Sequence, residues 1–116
     1  MSEVTIYHNP NCGTSRSTLA LLREKGVEPT VVEYVKAGWT KVQLQDLLRR
    51  MDVRAHDILR VHGTNAHALG LTDPGASDEV LIAAMIIEPI LVNRPIVVTA
   101  KGAALCRPAE LVLGLL

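Results

Sequence analysis

The stretch Val4-Thr5-Ile6-Tyr7-His8-Asn9-Pro10-Asn11-Cys12-Gly13-Thr14-Ser15-Arg16 changes character twice. Its first four residues are a β-branched and aromatic run that reads as a strand. Asn9-Pro10-Asn11 are turn formers, and beyond Gly13 the apolar positions Leu19 and Leu22 fall at helical spacing until Gly26. The order is strand, loop, helix, with Cys12 at the loop–helix junction. After Pro29, Thr30-Val31-Val32 ahead of Tyr34 reads as a second strand. A helix between two strands calls for a crossover, so the unit is βαβ and the strand pair is parallel.

Working outward, Val42, Leu44, Leu47, Leu48 and Met51 recur at helical spacing from Thr40 onward. Asp52 is expected to open a second helix through Ile58 and Leu59 to Arg60. Ser77-Asp78-Glu79 opens a third, Val80 to Glu88, stopped by Pro89. Pro95-Ile96-Val97-Val98-Thr99 and Ala103-Ala104-Leu105-Cys106 read as two strands around a tight turn at Lys101-Gly102. Pro108 with Leu111-Val112 starts a last helix. The order βαβ, helical insertion, ββα is the thioredoxin layout, an α/β fold with a mixed central sheet. It is expected to form a single domain over residues 1–116, with residues 63–75 as its loosest stretch.

The chain has 116 residues, 48% of them hydrophobic, which is enough for one core without disulfide staples. Phe is absent and only 3% of residues are aromatic, so Leu, Val, Ile, Ala and Met must build that core. Twelve Lys+Arg balance twelve Asp+Glu. No global field therefore draws the protein to nucleic acid or an anionic membrane, and any anion site must be local. No run approaches the roughly 18 apolar residues of a membrane span, and no basic-then-apolar leader opens the chain. The expected compartment is the cytoplasm, where Cys12 and Cys106 stay reduced unless catalysis uses them.

Unpaired backbone N–H groups and the helix dipole favour negative charge at a helix start, so a thiol there ionises more readily. The N–H groups from Gly13 onward would also receive an oxyanion arriving at the sulfur. A free cysteine is commonly a small apolar filler. The neighbours Asn9, Asn11, Thr14, Ser15, Arg16 and Ser17 are too polar for that at Cys12. His8 either adds positive charge or a hydrogen bond to the thiolate, or is a turn residue at a strand end. Ser15 either donates its hydroxyl to the sulfur or caps the helix. With serine at that position there is no Cys-x-x-Cys, so an outside thiol must resolve any adduct on Cys12.

Arg60, Arg94 and Arg107 each stand among apolar residues near an element end. Singly, each reads as a surface or capping residue. Collectively they read differently. The proline ahead of the third strand in a thioredoxin-like fold is cis and faces the active cysteine, so Arg94-Pro95 brings Arg94 beside Cys12. Arg107, at the end of the adjoining strand, faces the same cleft. Guanidinium groups bind tetrahedral oxyanions through paired N–H bonds, which points to thiol chemistry on an oxyanion. Cys106, next to Arg107, is the natural candidate for an internal resolving thiol, but on a strand of a buried sheet it is expected to be packed and receives no role. His56, His62 and His67 show no zinc pattern, so no metal or bound cofactor is expected.

Four motifs in order resemble the glutaredoxin-dependent arsenate reductases: Tyr7 to Arg16, Ile58 to Arg60, Asn93 to Thr99 and Leu105 to Pro108. The segment Pro89 to Pro95 is especially characteristic. The phosphatase-type arsenate reductases carry a Cys-x5-Arg loop, which is absent here. The resemblance implies that Cys12 attacks arsenate while Arg60, Arg94 and Arg107 hold the oxyanion. Glutathione, as co-substrate, then adds before glutaredoxin releases arsenite. His8 matches the position thought to depress the thiol pKa. The partners the resemblance implies are arsenate, glutathione and glutaredoxin, and the protein is expected to be a monomer.

Two other readings use the same fold. Spx-type transcriptional adaptors contact RNA polymerase and usually carry Cys-x-x-Cys near the amino terminus, which Ser15 interrupts. A general glutathione-linked disulfide oxidoreductase would reduce mixed disulfides and leave arsenate alone.

Overall fold

The computed structural model describes residues 3–116. The chain groups into two compact units. One runs through Ala37 and resumes at Arg94–Leu116, and the other is Gly38–Asn93. Where the sequence reads as one domain with a helical insertion, that insertion is the second unit.

The first unit is built on a four-stranded sheet: β1 (Thr5–His8), β2 (Thr30–Glu33), β3 (Ile96–Thr99) and β4 (Gly102–Leu105) in the order β2-β1-β3-β4. β1 runs parallel to β2, with Ile6 opposite Val31 and His8 opposite Glu33. β3 is antiparallel to both β1 and β4, with Ile6 opposite Val97 and Ile96 opposite Leu105. The sheet is therefore mixed, and the fold is thioredoxin-like. Strand alternation points Ile6 and His8 to the same side, and both are buried.

Helix α1 (Gly13–Glu24) returns the chain from β1 to β2 and buries Ser15, Thr18 and Leu22 along one face. Leu22 packs with Val4, Ile6, Val97, Cys106 and Val112 in the core of this unit. The helix stops at Gly26, whose φ of 78° is costly for a residue with a side chain. The Val27 N–H reaches the Leu22 carbonyl at 2.9 Å and that of Gly26 reaches Arg23 at 3.0 Å. This is a Schellman ending, with Val27 packed on the same core as Leu22. A short helix α2 (Tyr34–Ala37) follows β2. The last helix expected from Pro108 is 3-10 in geometry, Ala109–Leu115, with Ala109 and Val112 buried. A three-residue step between its buried positions and a hydrogen bond from Thr99 Oγ1 to the Leu115 carbonyl at 2.7 Å hold it to the sheet unit.

The second unit contains α3 (Lys41–Met51) and α4 (Asp78–Ile87). Thr40 opens α3 with a capping box: its hydroxyl accepts from Gln43 N–H at 3.1 Å while Gln43 Oε1 accepts from Thr40 N–H at 2.9 Å. Ser77 caps α4 by accepting from Val80 N–H. Leu44, Leu47 and Leu48 of α3 and Leu81, Ile82 and Met85 of α4 are buried. The helix expected from Asp52 to Arg60 does not form. Asp52 instead ends α3 in the left-handed conformation, φ 54°, and only Ala55–Ile58 makes a 3-10 turn. Asp is both a helix opener and one of the few residues with a side chain that tolerate left-handed backbone, so its presence alone did not decide between the two. Leu59 then bridges Val92, and Arg60 N–H donates to the Leu91 carbonyl at 2.7 Å. Residues 63–75 form consecutive turns around the buried side chains Ala66 and Leu71. No helix among the described residues is long and apolar enough to cross a membrane.

Candidate active site

The end of β1, the start of α1 and the two segments flanking the β3–β4 pair meet around Cys12. Cys12 occupies the N-cap of α1, with extended backbone at φ −102° and ψ 123°. An N-cap side chain faces the unpaired N–H groups of the first turn. The sulfur makes no close capping bond, yet it lies near enough for the Ser15 and Thr14 N–H groups to favour its ionised form. Arg107 reaches it from beyond β4: its Nη1 lies 3.6 Å from Cys12 Sγ and also donates to the Arg94 carbonyl at 2.9 Å. The Arg94 side chain also favours the ionised sulfur. The Arg94–Pro95 peptide is cis, as is Arg107–Pro108.

These contacts set the thiol's acidity. Burial raises the Cys12 pKa, but the Ser15 N–H, Arg107, Arg94 and the Thr14 N–H together outweigh burial and bring it down to about 7. Near neutral pH a large share of Cys12 is thus thiolate. Cys106 shows the opposite case. It is fully buried, its Sγ faces the Ala104 carbonyl at 3.6 Å, and burial pushes its pKa up to about 11.

His8 and Ser15 differ from the roles sketched for them in the sequence. The Ser15 hydroxyl does not go to the sulfur. It lies 2.6 Å from His8 Nδ1 and accepts from Asn9 N–H at 3.0 Å, leaving the Ser15 backbone N–H to act on Cys12. Burial lowers the His8 pKa, overriding the opposing pull of Glu33, and so favours the neutral imidazole over a positive charge beside the thiolate. The physical reason is the same for both: Ile6-like alternation turns His8 into the interior, where the nearest polar partner is a hydroxyl of α1. Imidazole and hydroxyl together tie the first turn of the helix to the end of β1.

Arg60 belongs to the Gly38–Asn93 unit. There its Nε donates to the His62 carbonyl at 3.0 Å and its Nη1 to Asn93 Oδ1 at 3.4 Å. His56 and His67 also have partners within that unit: His56 Nε2 lies 2.8 Å from the Ala76 carbonyl and His67 Nδ1 3.1 Å from Thr72 Oγ1.

Asn9 and Thr14 are read from the sequence only as turn-forming or polar neighbours of Cys12, whereas in the structure the Asn9 carbonyl accepts from the Cys12 N–H and the Thr14 N–H favours the ionised sulfur. An Asn-Pro step was the available signal, since it favours turn initiation. The apolar clefts lie elsewhere. One of about 240 Å³ is lined by Val4, Thr99, Lys101 and Leu116 at the far end of the sheet, and one of about 350 Å³ lies against Leu69, Val80 and Ile87 of the helical unit. A partly exposed thiolate under two guanidinium groups suits a small, strongly hydrated anion better than an apolar ligand.

Fold and site together define a thioredoxin-like protein with an activated thiol at a helix start, flanked by arginines. The ArsC family pattern matches residues 7–115. An arsenate reductase of Rhizobium meliloti (strain 1021) is 50% identical over 113 residues, which cover 97% of this chain and 81% of that protein. An arsenate reductase of Escherichia coli (strain K12) is 46% identical over 116 residues, covering 100% of this chain and 82% of that protein. Among solved structures, an arsenate reductase from Vibrio cholerae superimposes with a TM-score of 0.93 at 38% identity, covering 98% of each chain. The chain belongs to the ArsC family.

Proposed function

We propose that this protein reduces arsenate to arsenite, with Cys12 as nucleophile and a glutathione/glutaredoxin couple as the source of electrons. The observation that carries the reading is the single 3.6 Å contact between Arg107 Nη1 and Cys12 Sγ. It joins a nucleophile of depressed pKa to a cation suited to the oxyanion it would attack. The identity to arsenate reductases along the whole chain supports the substrate.

In this reading the Cys12 thiolate attacks arsenic. A sulfur–arsenic bond forms, and one arsenate oxygen leaves as water after protonation. Arg94 and Arg107 hold the remaining oxygens, while the α1 N–H groups stabilise their charge. Glutathione adds to arsenic with loss of a second water. The glutaredoxin thiolate then attacks the glutathione sulfur, forming a disulfide and leaving the sulfur–arsenic electron pair on arsenic, which becomes arsenic(III). Water finally cleaves the Cys12–arsenic bond, releasing arsenite and the thiol. The net exchange is two thiols oxidised to one disulfide per arsenate reduced, a cycle suited to a reducing compartment such as the cytoplasm.

The test is an NADPH-coupled assay with glutathione, glutathione reductase and glutaredoxin. Arsenate-dependent NADPH oxidation by the wild type that disappears in Cys12→Ser is expected. No response to arsenate, together with turnover of a mixed disulfide, would instead make the protein a general disulfide oxidoreductase. A response only with thioredoxin and its reductase would overturn the choice of electron donor.

A further inference from the structure

Asn9 is 5% exposed and makes three hydrogen bonds around the loop that carries Cys12. Its carbonyl accepts from Cys12 N–H at 3.0 Å. Its side-chain Oδ1 accepts from Asn11 N–H at 2.9 Å. Its own N–H donates to Ser15 Oγ at 3.0 Å. The first bond closes a four-residue turn with Pro10 at its second position, where the fixed proline φ is favoured. The second is an Asx turn, in which an asparagine side chain mimics the backbone. The third ties the turn to the first turn of α1. We infer that Asn9 is a positioning residue for the reaction at Cys12, setting the distance between the sulfur and the Thr14 and Ser15 N–H groups.

The inference rests on the reading of Cys12 as the nucleophile. The Oδ1 bond is the only one of the three that a substitution removes directly, because the other two use the Asn9 backbone. Asn11 and Pro10 are exposed, so water can satisfy the Asn11 N–H once Oδ1 is gone. The fold then loses little, while the loop no longer has a fixed path into the N-cap. The charged groups facing the sulfur are Arg94 and Arg107, from the segments beside β3 and β4. Arg16 of α1 turns its Nη1 to the Pro10 carbonyl at 2.8 Å, within the same turn, and burial favours the neutral form of the neighbouring His8. Arg107 bonds the sulfur and the Arg94 carbonyl rather than the Asn9 side chain, so a change in thiol acidity on removing that side chain reports on the loop, Arg16 included.

The experiment is iodoacetamide alkylation of Cys12 across pH in the whole protein, for wild type, Asn9→Ala and Asn9→Ser, with thermal melts of each. Serine can accept the Asn11 N–H bond in place of the carboxamide. In Asn9→Ala the midpoint should rise by about one pH unit. Because a thiolate of higher pKa is intrinsically more nucleophilic, the rate should fall about two-fold at pH 7 and rise about two-fold at pH 9. Asn9→Ser should move both rates back toward wild type. Such a crossing of profiles cannot come from a general loss of folded protein. A superimposable Asn9→Ala profile, or a uniform fall across pH that follows the melting temperature, would overturn the inference. A wild-type midpoint at the ordinary thiol value would instead sink the reading of Cys12 itself, so the two failures are distinguishable.

Discussion

The two cysteines carry the same side chain and differ only in surroundings, and the difference spans about four pH units, from about 7 at Cys12 to about 11 at Cys106. Burial raises both, and at Cys106 it acts alone. At Cys12 four donors reverse it. Ionised Cys12 therefore stabilises the fold above the unfolded thiol pKa of about 8.5, and that contribution is lost as pH falls through 7. Cys106 acts in the opposite sense: stability declines as pH rises from the unfolded value toward 11. Among the donors at Cys12, Arg107 does two jobs through one nitrogen, touching the sulfur and the Arg94 carbonyl. Arg107→Ala should raise the Cys12 pKa and lower kcat/KM for arsenate about 30-fold, equivalent to about 2 kcal/mol for lost charge-assisted bonds. Arg107→Lys should recover more of the thiol acidity than of kcat/KM, because an ammonium supplies charge without the planar fork. Unchanged kinetics in Arg107→Ala would remove it from the site.

Among the elements, those with local start and stop signals were legible. Thr40 and Gln43 cap α3 reciprocally, and Thr40→Ala should destabilise the protein by about 1 kcal/mol in urea unfolding, with Thr40→Ser recovering most of that stability. Equal stability of Thr40→Ala and wild type would show that the box contributes nothing. Ser77 and Pro89 bracket α4 in the same way, and Gly26 ends α1. The β-branched runs at Thr30–Glu33 and Ile96–Thr99 form strands where alternation and composition place them. Asp52 misled because the signals around it conflict: it can open a helix, yet Arg49 and Arg50 in the preceding turn mark an ending. The site was legible to the same depth. The helix-start position of Cys12 is a local property and could be read. Which atom of Ser15 meets the sulfur, and whether His8 carries charge, depend on the burial of a strand end against a helix seven residues later. No spacing rule encodes that.

Across the whole molecule the formal charge is zero, so attraction of an oxyanion depends on where the cations stand rather than on their number. Electron supply is constrained just as simply. The chain holds two cysteines, and the second is packed in the core with Val4, Ile6, Leu22, Val97 and Val112. A thiol held protonated there by burial is a poor partner for disulfide exchange, which needs a thiolate with access to the attacked sulfur. Ser15 cannot substitute for it. An adduct on Cys12 must then be resolved from outside. After reaction with arsenate and limiting glutathione, mass spectrometry of the acid-quenched protein should find any glutathione on the Cys12 peptide and none on the Cys106 peptide. Cys106→Ala should keep arsenate-dependent turnover within about two-fold while lowering the melting temperature, since it removes a buried side chain from a packed core. A Cys12–Cys106 disulfide in the quenched sample, or lost turnover in a folded Cys106→Ala, would show that the core opens to supply an internal thiol and would reverse the account of how the cycle closes.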